Sequence, residues 1–179
     1  MPRLPFNTAL LMAPLAYAIQ HGEEHLLFNF RAWRLRYFAD NNALSTEAVL
    51  LVLMAVSLVY LLLQATLRTS VTAWVTVMFL SATQVHNAFF HLGGTLWFRD
   101  FSPGLITAIT LYLPVNYVIF RAALSERLLT RQQLVIAFFA GGLLFWAFEL
   151  IGPPVLLAGT LATWAWALTT ARPSDPKEV

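Results

Sequence analysis

The apolar residues of the chain fall into six segments, near residues 6–28, 46–67, 71–98, 103–120, 132–150 and 154–170. A helix needs about 20 apolar residues to cross the hydrocarbon core of a bilayer. This spacing therefore predicts an all-α fold, a polytopic transmembrane helical bundle of about six spans. The last segment is short and follows Gly152-Pro153-Pro154, so five spans plus a re-entrant hairpin is the alternative. Composition agrees, with 59% apolar and 11% charged residues, against roughly a quarter charged in a soluble domain. Residues 1–171 read as one transmembrane domain without internal repeats, and residues 172–179 as a polar C-terminal tail. Arg3, the apolar stretch after it and Ala16-Tyr17-Ala18 also fit a secretory leader. We read them as a helix of the mature protein.

Counting Lys and Arg in alternate loops sets the direction of the spans. One side holds Arg3, Arg68, Arg121, Arg127, Arg131, Arg172 and Lys177, and the other Arg31, Arg34, Arg36 and Arg99. Seven against four predicts both termini in the cytoplasm, and a bacterial inner membrane fits so small a chain. The partners expected are membrane lipids and a hydrophobic or lipid-like substrate. No run of basic residues supports nucleic-acid binding. A homo-oligomer is one arrangement that Gly141-Gly142 offers, as a close-packing surface. Cysteine is absent, so any metal site must be built from imidazole and carboxylate.

Ionisable groups inside a membrane are costly and mark function by default. In the first segment His21, Glu24 and His25 stand at i, i+3 and i+4, on one helical face. Glu23 lies about 200° around the helix from His21, which points it to a different contact. In the third segment Gln84, Asn87 and His91 form a polar stripe, with His86 roughly 140° from His91. Glu149 lies near the end of the fifth. The first, third and fifth segments run in the same direction. At ~1.5 Å per residue, about 15–20 residues into each span, His21, His25, His86, His91 and Glu149 come within one or two turns of a common depth.

His-x-x-Glu-His is also a zinc-enzyme spacing, with two imidazoles on the metal and the glutamate as general base toward a bound water. Neutral imidazoles leave the metal charge largely uncompensated, so that water ionises near neutral pH. The expected metal ligands are His21, His25 and His91, with Glu149 or His86 completing the shell. Glu24 is the base, or a ligand in a dinuclear site, and Asn87 and Gln84 orient a ligand or polarise a carbonyl. The expected function is a zinc-type hydrolase acting inside the membrane, with zinc favoured over iron as the divalent metal. The alternatives are a di-iron oxygenase or hydroxylase and a transporter coupled to protons or metal ions. The bland reading is that these groups are hydrogen-bonded glue between helices, as expected for Gln64 and Asn116. Arg31, Arg34 and Arg36, with Trp33, Tyr37 and Phe38, read as an interfacial segment touching headgroups.

His21-Gly22-Glu23-Glu24-His25, near the end of the first apolar segment, resembles the motif of the HXXEE family of small integral membrane proteins. A second block carries the same resemblance: Asn87 to Gly94, then Arg99, Ser102 to Ala108, and Tyr112-Leu113-Pro114. The resemblance implies the membrane topology and the location of the site more than a reaction. His25 stands where the family name has a second Glu, which removes a carboxylate role there and makes the site richer in histidine.

Overall fold

A computed structural model describes residues 4–39 and 44–170, so the tail at 172–179 lies outside the described residues. Among them the chain forms seven helices: α1 (residues 6–27), α2 (Phe30–Tyr37), α3 (Thr46–Leu67), α4 (residues 70–98), α5 (Leu105–Ser125), α6 (Arg131–Ile151) and α7 (Pro154–Thr170). Side-chain caps start several of them, because the first backbone N–H groups of a helix lack internal partners. Ser45 accepts from Ala48 N, Asn29 from Ala32 N, and Thr69 and Thr130 each close a reciprocal capping box. Prolines adjoin two of the irregularities. Pro14 cannot donate to Leu10 O, and α1 is distorted at Leu11; a widened turn over residues 108–112 adjoins Pro114 in α5.

Six helices alternate in direction. Phe6 N at the start of α1 donates to Glu126 beyond the end of α5, while Glu23 near the end of α1 meets residues 104–107 at the start of α5. Asn7 and Gln64 join the start of α1 to the end of α3. Trp74 Nε1 donates to Gln133 O, so α4 and α6 run side by side in the same sense. The short α2 lies across one end. Its Trp33 is buried beneath it against Phe90 and Phe145, in a seat that a Cβ on Gly94 would close, at 2.8 Å from the indole.

The interior is rich in alanine, including Ala9, Ala13, Ala73, Ala82, Ala108, Ala123 and Ala137. Small residues let helix backbones approach closely, which matters where lipid removes the hydrophobic drive for association. The outer surface carries the large apolar side chains: Leu26 is 86% exposed, Trp97 83% and Leu143 75%. A monomeric soluble protein rarely presents so much of this. By length and composition, α3, α5 and α6 are long and apolar enough to cross a membrane. The polar cluster dilutes α1 and α4, and α7 has 17 residues. The fifth segment, expected at 132–150, is an unbroken helix of 21 residues, the last is the expected short one, and α5 runs on past residue 120 to Ser125.

The Gly141-Gly142 surface is filled from within the chain. A Cβ on Gly141 would lie 2.5 Å from Ala82 Cβ and 2.7 Å from Met78 O, both on α4. These neighbours are backbone and a methyl group and cannot rotate away. Gly141→Ala is therefore expected to force α4 and α6 apart and to lower stability by about 1–3 kcal/mol. Thermal unfolding in detergent checks this, and a variant as stable as wild type would contradict the close approach.

Candidate metal centre

The site grows from the last two turns of α1. His21 and His25 stack one turn apart, with ring centroids 4.4 Å from each other. Between them in sequence, Glu24 points the same way, and one donor atom from each of His21, Glu24 and His25 lies within 4.8 Å of the others. Residues 23–27 form a widened π-helical turn, in which Phe28 N donates to Glu23 O five residues back. Such turns recur at functional sites. Here the turn carries both neighbouring glutamates inward, with Glu23 and Glu24 buried to 4% and 8% exposure.

The two Glu24 oxygens face different partners. Oε2 lies 3.7 Å from His25 Nε2. Oε1 lies 3.0 Å from His91 Nε2 on α4 and accepts from Gln20 Nε2 at 3.2 Å. His91 is fully buried, and its Nδ1 is within 2.9 Å of Ser102 Oγ in the α4–α5 connection. Its Nε2 is aimed at Glu24 but off the line of a hydrogen bond, and it is a buried polar atom without a hydrogen-bond partner. Gln20 extends the chain of contacts, donating to Asn87 Oδ1 at 2.6 Å. One connected set thus runs Asn87, Gln20, Glu24, His91, Ser102.

A cavity of about 140 Å³ opens beside the cluster, lined by His21, Glu24, His25, Arg31, Arg34, Asn87 and Glu149 among others. A second of about 120 Å³ lies against it and shares Tyr17, Leu53, Asn87, Phe148 and Glu149. Gln20 takes Asn87 Oδ1, and Asn87 lines both cavities.

The structure brings His21, Glu24, His25 and His91 together and separates the other expected ligands from them. His86 packs on Phe138 and above Gly142, with Nε2 3.1 Å from Phe138 O, on the α6-facing side of α4. This corrects its expected place in the metal shell, and the angular offset from His91 is the cause. Glu149 reaches the cavity wall but is held by Arg34, whose Nη2 donates to Glu149 Oε2 at 3.0 Å and to Glu149 O at 3.1 Å. Arg34 therefore turns inward from the segment expected to touch headgroups. Gln84 bridges helices, donating to Ala13 O and accepting from Asn116. At the far edge of α2, Tyr37 donates to Asp100 Oδ2 at 2.9 Å, and this bond to a carboxylate raises the phenol above its ordinary pKa.

Glu23 meets its different contact. Its carboxylate accepts from the backbone N–H groups of Gly104, Ile106 and Thr107 and from the Thr107 hydroxyl, capping α5. Sequence reasoning gave no role to Gln20, Ser102 or Gly104, although the last two lie in the second block that carries the family resemblance. Gln20 had a readable signal, a buried amide four residues before Glu24. Ser102 and Gly104 lie in a connection where periodicity carries no information. Gly104 has φ +97°, and a Cβ there would come within 2.9 Å of Glu24 Oε1 and 2.8 Å of His91 Cε1.

Comparison with known proteins gives two matches. Residues 11–119, more than half of the chain, match a family described as "Protein of unknown function with HXXEE motif". A protein of Bacillus subtilis (strain 168), carrying the description "Uncharacterized protein YrkK", is 26% identical over 80 residues, covering 45% of this chain and 51% of that one. The chain thus spans about half the length of the curated relative it matches. No solved structure matches the chain.

Proposed function

The chain belongs to the HXXEE family, and from that premise we propose that it is a metal-dependent enzyme of the membrane. The matched stretch contains both halves of the cluster, from Gln20 on α1 to Gly104 before α5. In this reading the six alternating helices all cross the bilayer, with α2 lying at the headgroup level. Both termini face the cytoplasm of a bacterial inner membrane.

His21, Glu24 and His25 hold one divalent metal, zinc in preference to iron. The observation that carries this is the convergence of their donor atoms within 4.8 Å at a cavity wall. Ligands on a tetrahedral zinc stand about 3.3 Å apart, a spacing these side chains would reach by a small inward rotation. His91 orients Glu24 through the oxygen facing it and is itself fixed by Ser102, the outer-layer support that ligating carboxylates usually have. In this reading Glu24 is a ligand through Oε2, the oxygen turned toward His25, while Oε1 accepts from Gln20 and faces His91.

Bound there, the metal would supply an acidified water for hydrolysis of a substrate carbonyl bond, with the water's proton leaving on the departing oxygen or nitrogen. Asn87, on the cavity wall, would donate from its amide to the carbonyl oxygen. The di-iron alternative needs several buried carboxylates; with Glu23 capping α5 and Glu149 paired to Arg34, Glu24 is the buried one left for it, and Glu47, which also acts on His21 and His25, is exposed. A transporter would instead move protons or metal ions across liposomes without turnover.

Protein purified without chelators is expected to carry about one equivalent of metal per chain. The His21→Ala/His25→Ala variant should lose it and His86→Ala should keep it, read by elemental mass spectrometry. Metal-free wild type, or a double variant that retains its metal, overturns the proposal.

A further inference from the structure

The metal reading leaves the second cavity without a role, although it adjoins the first through a common wall at Tyr17, Leu53, Asn87, Phe148 and Glu149. The two differ in chemistry. The outer one, at the end of the bundle beneath α2, holds the His/Glu cluster, Arg31, Arg34 and Thr46. The inner one reaches between α3, α4, α6 and α7, where Phe79, Leu80, Leu144, Phe145 and Leu156 form its apolar wall and Ser57, Thr83 and Gln84 add uncharged polar groups. Charged side chains therefore line the outer compartment and, Glu149 of the common wall aside, none lines the inner one. An apolar space inside a packed protein forfeits contacts unless something fills it. A cavity near 150 Å³ takes up a molecule of benzene's size, so the inner compartment suits a chain segment of about six carbons and excludes a bulky ring system.

From this geometry we infer that the two cavities form one substrate cleft for a single-chain lipid. Its polar head lies among His21, Glu24, His25 and Arg34, and the nearer part of its hydrocarbon chain lies in the inner compartment. The inference deepens the proposed function and rests on it for the position of the scissile group beside the metal. Chain binding in the inner compartment stands independently of the metal. Asn87 and Glu149, at the common wall, mark the passage from head to chain.

The test uses the full chain in lipid nanodiscs with palmitic acid carrying a mid-chain diazirine, and cross-links are mapped by mass spectrometry. Wild type is expected to be labelled on the inner wall, at residues such as Leu80 and Phe145. Thr83→Phe, which fills that compartment, should reduce this labelling roughly tenfold, the effect of modest overpacking. Wild type stripped of metal with a chelator should keep it. Labelling confined to outward positions such as Phe139 and Leu143 overturns the cleft, whether or not the protein carries metal. Inner-wall labelling of a wild type without metal would support the cleft and remove the metal reading alone. The wild-type map decides the matter even if Thr83→Phe fails to fold.

Discussion

Glu23→Ala is expected to destabilise the protein by about 3–5 kcal/mol, because it removes one buried carboxylate that serves four donors at once. Three of these donors are backbone N–H groups at the start of α5, which have no partner within their own helix. Glu23 is 4% exposed, so bulk water does not replace the lost acceptor. The carboxylate also sits at the positive end of the α5 dipole, which favours a negative charge there. Glu23→Gln keeps the shape and one acceptor oxygen and should recover part of the loss. Thermal unfolding in detergent reads both variants, with metal content measured alongside. A fall in melting temperature with stoichiometric metal retained in the surviving folded fraction identifies Glu23 as an anchor of α5. Loss of metal at unchanged stability would instead make Glu23 a ligand and undo the cap.

The contrast between Glu23 and Glu24 shows which parts of this molecule were legible in the sequence. Apolar segment lengths located the six long helices to within about five residues, because their outward faces as well as their inward ones carry large apolar side chains and leave an uninterrupted hydrophobic signal. The i, i+3, i+4 spacing grouped His21, Glu24 and His25, and depth brought His91 to them; the structure has all four in contact range. Angle decided the cases that depth could not. His86 shares the depth of His91 but faces α6, as its offset of about 140° required. Glu149 was placed at the right level, yet its partner Arg34 comes from α2, whose inward turn no periodicity announces. Gly141-Gly142 was read correctly as a close-packing surface but is used against α4 of the same chain. The widened turn at residues 23–27 alters the helical geometry at the very residues of the motif, so an ideal helical wheel cannot give their final directions.

The connection between α4 and α5 was the least legible part, and it supports the second large prediction, Gly104→Ala. Gly104 has φ +97°, a region costly for a residue with a side chain, and its missing Cβ leaves the space occupied by the Glu24 and His91 side chains. Strain and overpacking together are expected to cost about 2–5 kcal/mol. Gly93→Ala is the matched control. No atom lies within 4 Å of a Cβ there, in the middle of α4, so it should be neutral or stabilise by roughly 0.5–1 kcal/mol. The distribution of the Gly104 effect is what tests the site. His91 is fixed by Ser102 and has no exposed surface, so the side chain that yields is Glu24, and its Oε1 moves away from His91. Loosening a ligand's outer support typically weakens metal binding by about 10–100-fold. Gly104→Ala should therefore lose metal under dialysis conditions that leave wild type and Gly93→Ala loaded, at temperatures where all three remain folded. If Gly104→Ala binds metal as tightly as wild type while melting lower, the connection supports the fold alone and Glu24 is not positioned through it.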